Sequence, residues 1–148
     1  MRVMGLDVGT KTVGVAVSDA LGMTAQGLRV VRRKNLRSDV GELKRVIREH
    51  EVSRVIIGLP LNMDGSEGVR AQASREFGAL LAEATGLPID YWDERLSTVA
   101  AERMLIEGDV SRERRKQVID QVAASIILQG WLDSQSSATE PWDDEESP

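Results

Sequence analysis

The sequence contains no cysteine, a single histidine and very few aromatics: three Trp, one Tyr and one Phe among 148 residues. The first absence excludes a disulfide framework, a thiol nucleophile, a CxxC redox pair and any zinc site built on Cys, and it favours a reducing compartment. The shortage of aromatics argues against recognition of single strands by base stacking and for reading the backbone shape of duplexes. No stretch approaches the roughly 18 apolar residues that span a bilayer, and Met1-Arg2-Val3-Met4-Gly5-Leu6-Asp7 has no long uncharged apolar segment. The expectation is a cytoplasmic protein with no membrane partner. What is present, 41% hydrophobic and 29% charged residues, fits one globular domain with a core.

Charge is unevenly placed along the chain. The net charge is -5, yet residues 133–148 hold Asp133, Glu140, Asp143, Asp144, Glu145 and Glu146 with no Lys or Arg. Removing those six from 24 acids leaves 18 against 19 bases, so the body is nearly neutral and a nucleic-acid partner is compatible with it. Two basic clusters, Arg29, Arg32, Arg33, Lys34 and Arg37, and Arg112, Arg114, Arg115 and Lys116, read equally well as phosphate contacts or as solvated loops. Residues 134–148 are polar and acidic with two prolines, and are expected to form a disordered tail outside a folded domain of residues 1–133.

Periodicity predicts an α/β fold. Val3 to Val8 is a short apolar run, and Val13, Val15 and Val17 alternate with Gly14, Ala16 and Ser18 after the Gly9-Thr10-Lys11-Thr12 turn, which is a hairpin pattern. Gly27 to Arg32 reads as a third strand. Asp39 to His50 carries Val40, Leu43, Val46 and Ile47 at helical spacing, and Arg54 to Leu59 is an apolar strand running into Pro60. Ser66 reads as the N-cap of a helix presenting Val69, Ala73, Phe77, Leu80, Leu81 and Ala84, stopped by Gly86 and Pro88. Ile89 to Trp92 is a fifth strand. Helical sequence follows a cap at Ser97 or Thr98, with an interruption around Gly108 to Ser111 and a final helix over 114–132. A meander followed by alternating β and α predicts one mixed five-stranded sheet, antiparallel then parallel, with helices on its faces.

Three acids stand out against this background. Asp7 sits in a strand, where Asp is depleted, and either faces a polar cleft or metal or bonds the Gly9-Thr10 turn. Asp93-Glu94-Arg95 ends the fifth strand; extended backbone sends only one of the two acids toward Asp7, and the group reads otherwise as a solvated rim. Asp120 shares a helix face with Ala123, Ala124 and Ile127, small residues that allow close packing on the sheet; near the helix N-terminus it also suits the dipole. Acids on a strand, a strand end and a sheet-packed helix are an arrangement that holds Mg²⁺ or Mn²⁺, two of which activate water and stabilise the leaving oxygen of a phosphodiester. His50, at a helix end, reads as a dipole partner rather than a ligand.

Gly5-Leu6-Asp7-Val8-Gly9-Thr10-Lys11-Thr12-Val13-Gly14-Val15-Ala16-Val17-Ser18-Asp19, Gly58-Leu59-Pro60-Leu61-Asn62-Met63-Asp64-Gly65, Asp93-Glu94-Arg95-Leu96-Ser97-Thr98 and Asp120-Gln121-Val122-Ala123-Ala124 together resemble the bacterial YqgF (RuvX) family. The likeness covers residues 2 to 132. It implies a ribonuclease H-like fold and a role as a Holliday junction resolvase or in maturing the 5′ end of 16S ribosomal RNA. It further implies that Asp7, Glu94 and Asp120 are the catalytic, metal-binding carboxylates, with Asp93 outside that set, and that Lys11, Asn62, Asp64 and Arg95 contact the scissile phosphate or its neighbours. Nucleic acid, either a four-way DNA junction or precursor rRNA, is the implied partner, and symmetric junction cleavage calls for a homodimer. Two other readings stand beside it. Asp7-Val8-Gly9-Thr10 with Gly14-Val15-Ala16-Val17 also resembles the first phosphate loop of actin-like sugar kinases and Hsp70 ATPases, which close a nucleotide between two such domains where this length supplies one. A non-catalytic RNA-binding assembly factor, with structural acids, is the third.

Overall fold

The computed structural model describes residues 2–97 and 112–138, and within the second stretch the side chains of residues 121–136. Strands β1 (Arg2–Val8), β2 (Thr12–Ser18), β3 (Ala25–Arg32), β4 (Val52–Leu59) and β5 (Ile89–Asp93) form one sheet in the order β3-β2-β1-β4-β5. The first three pair antiparallel; β4 runs parallel to β1, and β5 parallel to β4. Helices α1 (Leu36–Glu49) and α2 (Val69–Thr85) cover one face and α3 (Arg112–Ala138) the other. This is the expected mixed sheet, an antiparallel meander continued by parallel strands.

Local chemistry explains where the elements begin and end, including where they depart from the expected bounds. Asn35 caps α1 by accepting from Ser38 N–H at 2.9 Å, so the helix starts three residues before Asp39. Val40, Leu43, Val46 and Ile47 are buried as their spacing predicts. Gly86, in the left-handed region at φ 72°, ends α2 with its N–H on Ala82 O. The other end of α2 corrects the sequence reading: Ser66 is held by Asp64, which accepts from both its N–H and its hydroxyl, and Gly68 takes the cap position instead. The buried face of α2 is Ala71, Ser74, Phe77, Gly78 and Leu81, while Val69 is 81% exposed. Glycine is required at position 78 because Tyr91, through its hydroxyl end, occupies the space a side chain there would fill. Helix α3 continues to Ala138, so residues 134–138 belong to it rather than to a tail; no Gly or Pro interrupts them, and Ser134 Oγ bonds Trp131 O at 2.7 Å. The expected interruption at 108–111 and residues 139–148 lie outside the described residues.

The two faces of the sheet are packed differently. Against α1 and α2 lie Met4, Leu6, Val13, Val15, Val31 and Ile57, closed by Leu43, Phe77 and Leu81. Against α3 lie Gly5, Ala16, Ile56 and Gly58, met by Ala123, Ala124, Ile127 and Leu128. A Cβ at Gly5 would stand 2.6 Å from Leu128 Cβ and 3.0 Å from Ala124 O, so helix and strand are in backbone contact. Helix α3 runs antiparallel to β1. In its C-terminal half Gln129 accepts from Ala25 N–H at 2.9 Å and Trp131 lies 5.9 Å from the Arg54 guanidinium, both near the start of β1. Its N-terminal half is therefore directed toward the strand ends that carry Asp7. Among the described residues no helix is long and apolar enough to cross a membrane.

Candidate active site

Asp7 is the penultimate residue of β1 and pairs with Gly14 of β2. Residues two apart in a strand share a face, and Gly5 touches α3, so Asp7 belongs to the α3 face. On the other side Leu6 pairs with Ile57, which sets Asp7 beside Gly58 of β4. A Cβ at Gly58 would overlap the tip of Ile127 and reach within 3.4 Å of the Glu94 carboxyl carbon. The Glu94 carboxyl therefore lies over Gly58, on the same face as Asp7 and next to it, with Oε1 shut off from solvent. Absence of a side chain at position 58 makes this approach possible.

Glu94 takes its place because β5 stops at Asp93. The Asp93 carboxylate accepts from Arg95 N–H at 2.9 Å and turns the chain into a short 3₁₀ helix, Glu94–Leu96. Ser97 closes that turn with N–H and Oγ on Glu94 O. The Arg95 guanidinium grips Asp93 through Nε at 3.1 Å and Nη2 at 2.7 Å, which holds the Asp93 carboxyl below the usual carboxylate range. Asp93 is thus spent on the turn, and the two acids diverge in role.

Arg95 also donates to Met63 O at 3.3 Å and so ties the turn to the loop after β4. In that loop Asn62 Nδ2 bonds Ser66 Oγ at 2.9 Å, and Asp64 accepts from the same hydroxyl at 2.6 Å. The Ser66 hydroxyl, then its N–H, then the Arg95 charge hold the Asp64 carboxyl below its ordinary range. Asn62, Asp64 and Arg95 form one exposed cluster beyond the ends of β4 and β5. Lys11, exposed in the β1–β2 turn, stands on the opposite side of Asp7.

Asp120 lies in α3 four residues before Ala124, about 6 Å along the axis, in the half of the helix directed toward the Asp7 end of β1. Its side chain is outside the described residues. Among the described residues no three acids or histidines cluster as metal ligands; what the structure brings together is the pair Asp7 and Glu94.

Two arginines turn inward: Arg70, which the sequence reading did not single out, and Arg33, which it placed in a basic cluster as a phosphate contact or solvated loop. Arg33 Nη1 donates to Gly9 O at 2.8 Å and Arg70 Nη2 to Val8 O at 2.6 Å, so the two carbonyls that follow Asp7 are both held by guanidinium groups. Arg33 is itself fixed by Asp39, 2% exposed, at 3.2 Å, and lies 5.4 Å from the Phe77 ring. The signal in the sequence was Asp39: an acid among buried helix positions requires a cation nearby.

A family model described as "RuvX: Holliday junction resolvase" matches residues 1–134. The chain belongs to the RuvX family. With that family it is a nuclease, a hydrolase of phosphodiester bonds. A Myxococcus xanthus relative named "Putative pre-16S rRNA nuclease" is 65% identical over 90% of this chain and 89% of its own length. A Moorella thermoacetica relative of the same name is 59% identical over 90% of this chain and 95% of its own. Among solved structures, Thermus thermophilus RuvC in complex with Holliday junction substrate superposes with a TM-score of 0.54 at 16% identity, covering 92% of this chain and 96% of that one. That likeness shows the fold, which is ribonuclease H-like.

Proposed function

We propose that this RuvX-family chain is a divalent-metal-dependent endonuclease of structured nucleic acid, with Asp7, Glu94 and Asp120 as its catalytic carboxylates. The observation that carries this reading is the Glu94 carboxyl lying over Gly58, the β4 residue that register sets beside Asp7, at the strand ends toward which the half of α3 bearing Asp120 is directed. Adjacent carboxylates at the rim of a core are costly unless a cation or donors offset them. The donor set is all oxygen, and His50 caps α1 beside Arg2 and Glu51 at the far end of the sheet. Such a set fits Mg²⁺ or Mn²⁺, held by Asp7, Glu94 and Asp120. When bound, one or two of these ions activate water and stabilise charge on the leaving oxygen of a phosphodiester.

The chain's own residues do the positioning. Asp7 is set by its pairing with Gly14 and by the Arg33 and Arg70 contacts to the carbonyls that follow it, so its orientation is fixed before substrate arrives. Glu94 is set by the 3₁₀ turn that Asp93, Arg95 and Ser97 close. Lys11, Asn62 and Arg95 contact the scissile phosphate or its neighbours, and Asp64, itself an anion, serves through the Ser66 hydroxyl it holds. Water adds to phosphorus and the bond to the 3′ oxygen breaks, that oxygen taking a proton, which leaves a 5′-phosphate and a 3′-hydroxyl.

Two substrates suit this reading: the precursor 16S rRNA of the relatives' name and the four-way DNA junction of the family description. Symmetric cutting of the junction requires a homodimer. Cytoplasmic location accords with either. The test is cleavage of end-labelled junction, plain duplex and precursor 16S fragment in Mg²⁺ and in Mn²⁺, by the unsubstituted protein and Asp7→Asn side by side. Cleavage of one structured substrate, lost in the variant, is expected. Binding of all three without cleavage, unchanged by the substitution, would overturn the proposal in favour of a non-catalytic RNA-binding assembly factor.

A further inference from the structure

The basic cluster at the end of β3 is divided by the fold. Of its five members, Arg33 is turned inward onto Asp39 and Gly9 O, and Arg29 faces Glu49 at 3.9 Å. Arg32, Lys34 and Arg37 are exposed, and none forms an ion pair among the described residues. Lys11 joins them, because its carbonyl accepts from Arg33 N–H at 2.8 Å and so aligns the β1–β2 turn with the end of β3.

Register places this group relative to the carboxylates. Asp7 pairs with Gly14, Gly14 with Val30, and Arg32, two residues on, pairs with Thr12. Paired and alternate positions share a face, so Arg32 is on the same face as Asp7, two strands away and two residues along. With strands about 4.8 Å apart and about 3.4 Å per residue, the two Cα atoms are roughly 12 Å apart. A nucleic-acid strand rising about 3.4 Å per nucleotide crosses that gap in roughly three to four steps. Lys34 follows at the junction, its N–H fixed on Asp39 Oδ1 at 3.0 Å, and Arg37 lies in the first turn of α1, where the helix dipole is already positive. A cation there opposes the dipole and gains no partner from the fold.

The opposite rim is different. Beyond β4 and β5, Arg95 is paired with Asp93 and Arg75 with Glu67, each at 2.7 Å, and Asp64 adds a further negative charge. Among the described residues around Asp7, positive charge without an ion-pair partner is therefore concentrated on one side.

We propose that Arg32, Lys34 and Arg37, beside Lys11, form a shelf that seats the phosphodiester backbone of a duplex arm on the β3–α1 side of the catalytic carboxylates. This rests on the nuclease reading and states where the substrate lies.

The experiment measures binding against salt concentration in the Asp7→Asn background, with a precursor 16S RNA duplex and a four-way DNA junction as probes. Arg32→Gln, Lys34→Gln and Arg37→Gln are combined, and the control removes equal charge from exposed positions further along α1: Lys44→Gln, Arg45→Gln and Arg48→Gln. The shelf variant is expected to reduce the slope of log K against log salt by roughly 2 to 3, about 0.9 for each phosphate no longer neutralised, with an unchanged melting temperature; the control slope stays at the parent value. Preference for one probe identifies RNA or DNA as the source of the phosphates. An unchanged slope in the shelf variant, an equal drop in the control, or no salt-sensitive binding to either probe overturns the proposal. Failure of the nuclease reading shows itself separately, as absence of cleavage by the protein with Asp7 intact.

Discussion

The two faces of the sheet use the same strands for different ends. On the α1–α2 side, Leu6, Val13, Val15, Val31 and Ile57 are branched, large and almost wholly buried, and Leu43, Phe77 and Leu81 close over them. On the α3 side the alternate positions of the same strands include Gly5, Asp7, Gly14, Ala16 and Gly58, with Ile56 the large apolar residue among them, and α3 answers with Ala123 and Ala124 beside Ile127 and Leu128. The first face gains stability from apolar area; the second gives up side-chain volume so that a helix can lie against backbone and carboxylates can gather where the strands end. Carrying chemistry on one face requires that the other supply most of the core.

Each face can be perturbed by a single substitution. The largest effect on stability is expected from Leu43→Ala, a fully buried position on the α1 face, at about 2–5 kcal/mol; cleavage per folded molecule, measured well below the melting temperature, stays at the parental rate. Gly5→Ala probes the opposite face. The added methyl meets Leu128 Cβ and the Ala124 carbonyl, so a cost of about 1–3 kcal/mol is expected. Because the displaced helix carries Asp120, cleavage falls as well, which a denaturation curve paired with a rate measurement will separate from stability alone.

A smaller effect sharpens the distinction between Asp93 and Glu94. Arg95 depresses the Asp93 carboxyl, so its contribution to stability is present above the ordinary carboxylate range and is lost as pH falls through the lowered folded value, below about pH 4. Asp93→Asn removes that contribution. Melting temperatures followed from pH 7 to pH 3 should decline less steeply in the variant, and only slightly so, since the pair is partly exposed.

Much of this architecture was legible in the residues. Alternating Val against Gly and Ala marked β2, Gly86 with Pro88 marked the end of α2, and Ala123 with Ala124 marked a helix in close contact with the sheet. These signals are local, carried by periodicity and by backbone conformations that few residues adopt. What escaped depended on partners distant in the chain. Ser66 has the chemistry of a cap, but Asp64 and Asn62 compete for it. Val69 has the spacing of a core residue, yet α2 turns Ala71, Ser74 and Gly78 inward with Phe77 and Leu81, and Tyr91 covers Gly78. Arg33 was indistinguishable from its neighbours in a basic run until Asp39 and Gly9 showed that it faces inward while Arg32 and Lys34 remain exposed. Asp7 was conspicuous as an acid in a strand; that Glu94 lies over Gly58 required register across three strands.

On the proposed reading Asp7, Glu94 and Asp120 serve one cation site. Its most direct test is Mn²⁺ binding, by calorimetry or by the electron paramagnetic resonance of the free ion, to the unsubstituted protein and to Asp7→Asn, Glu94→Gln and Asp120→Asn, each with its melting curve. Saturable binding is expected, weakened by every one of the three substitutions by more than about 100-fold, beyond the upper end of what loss of a partner outside the ligand shell costs, with the fold retained. Variants that bind Mn²⁺ as the parent does would contradict it.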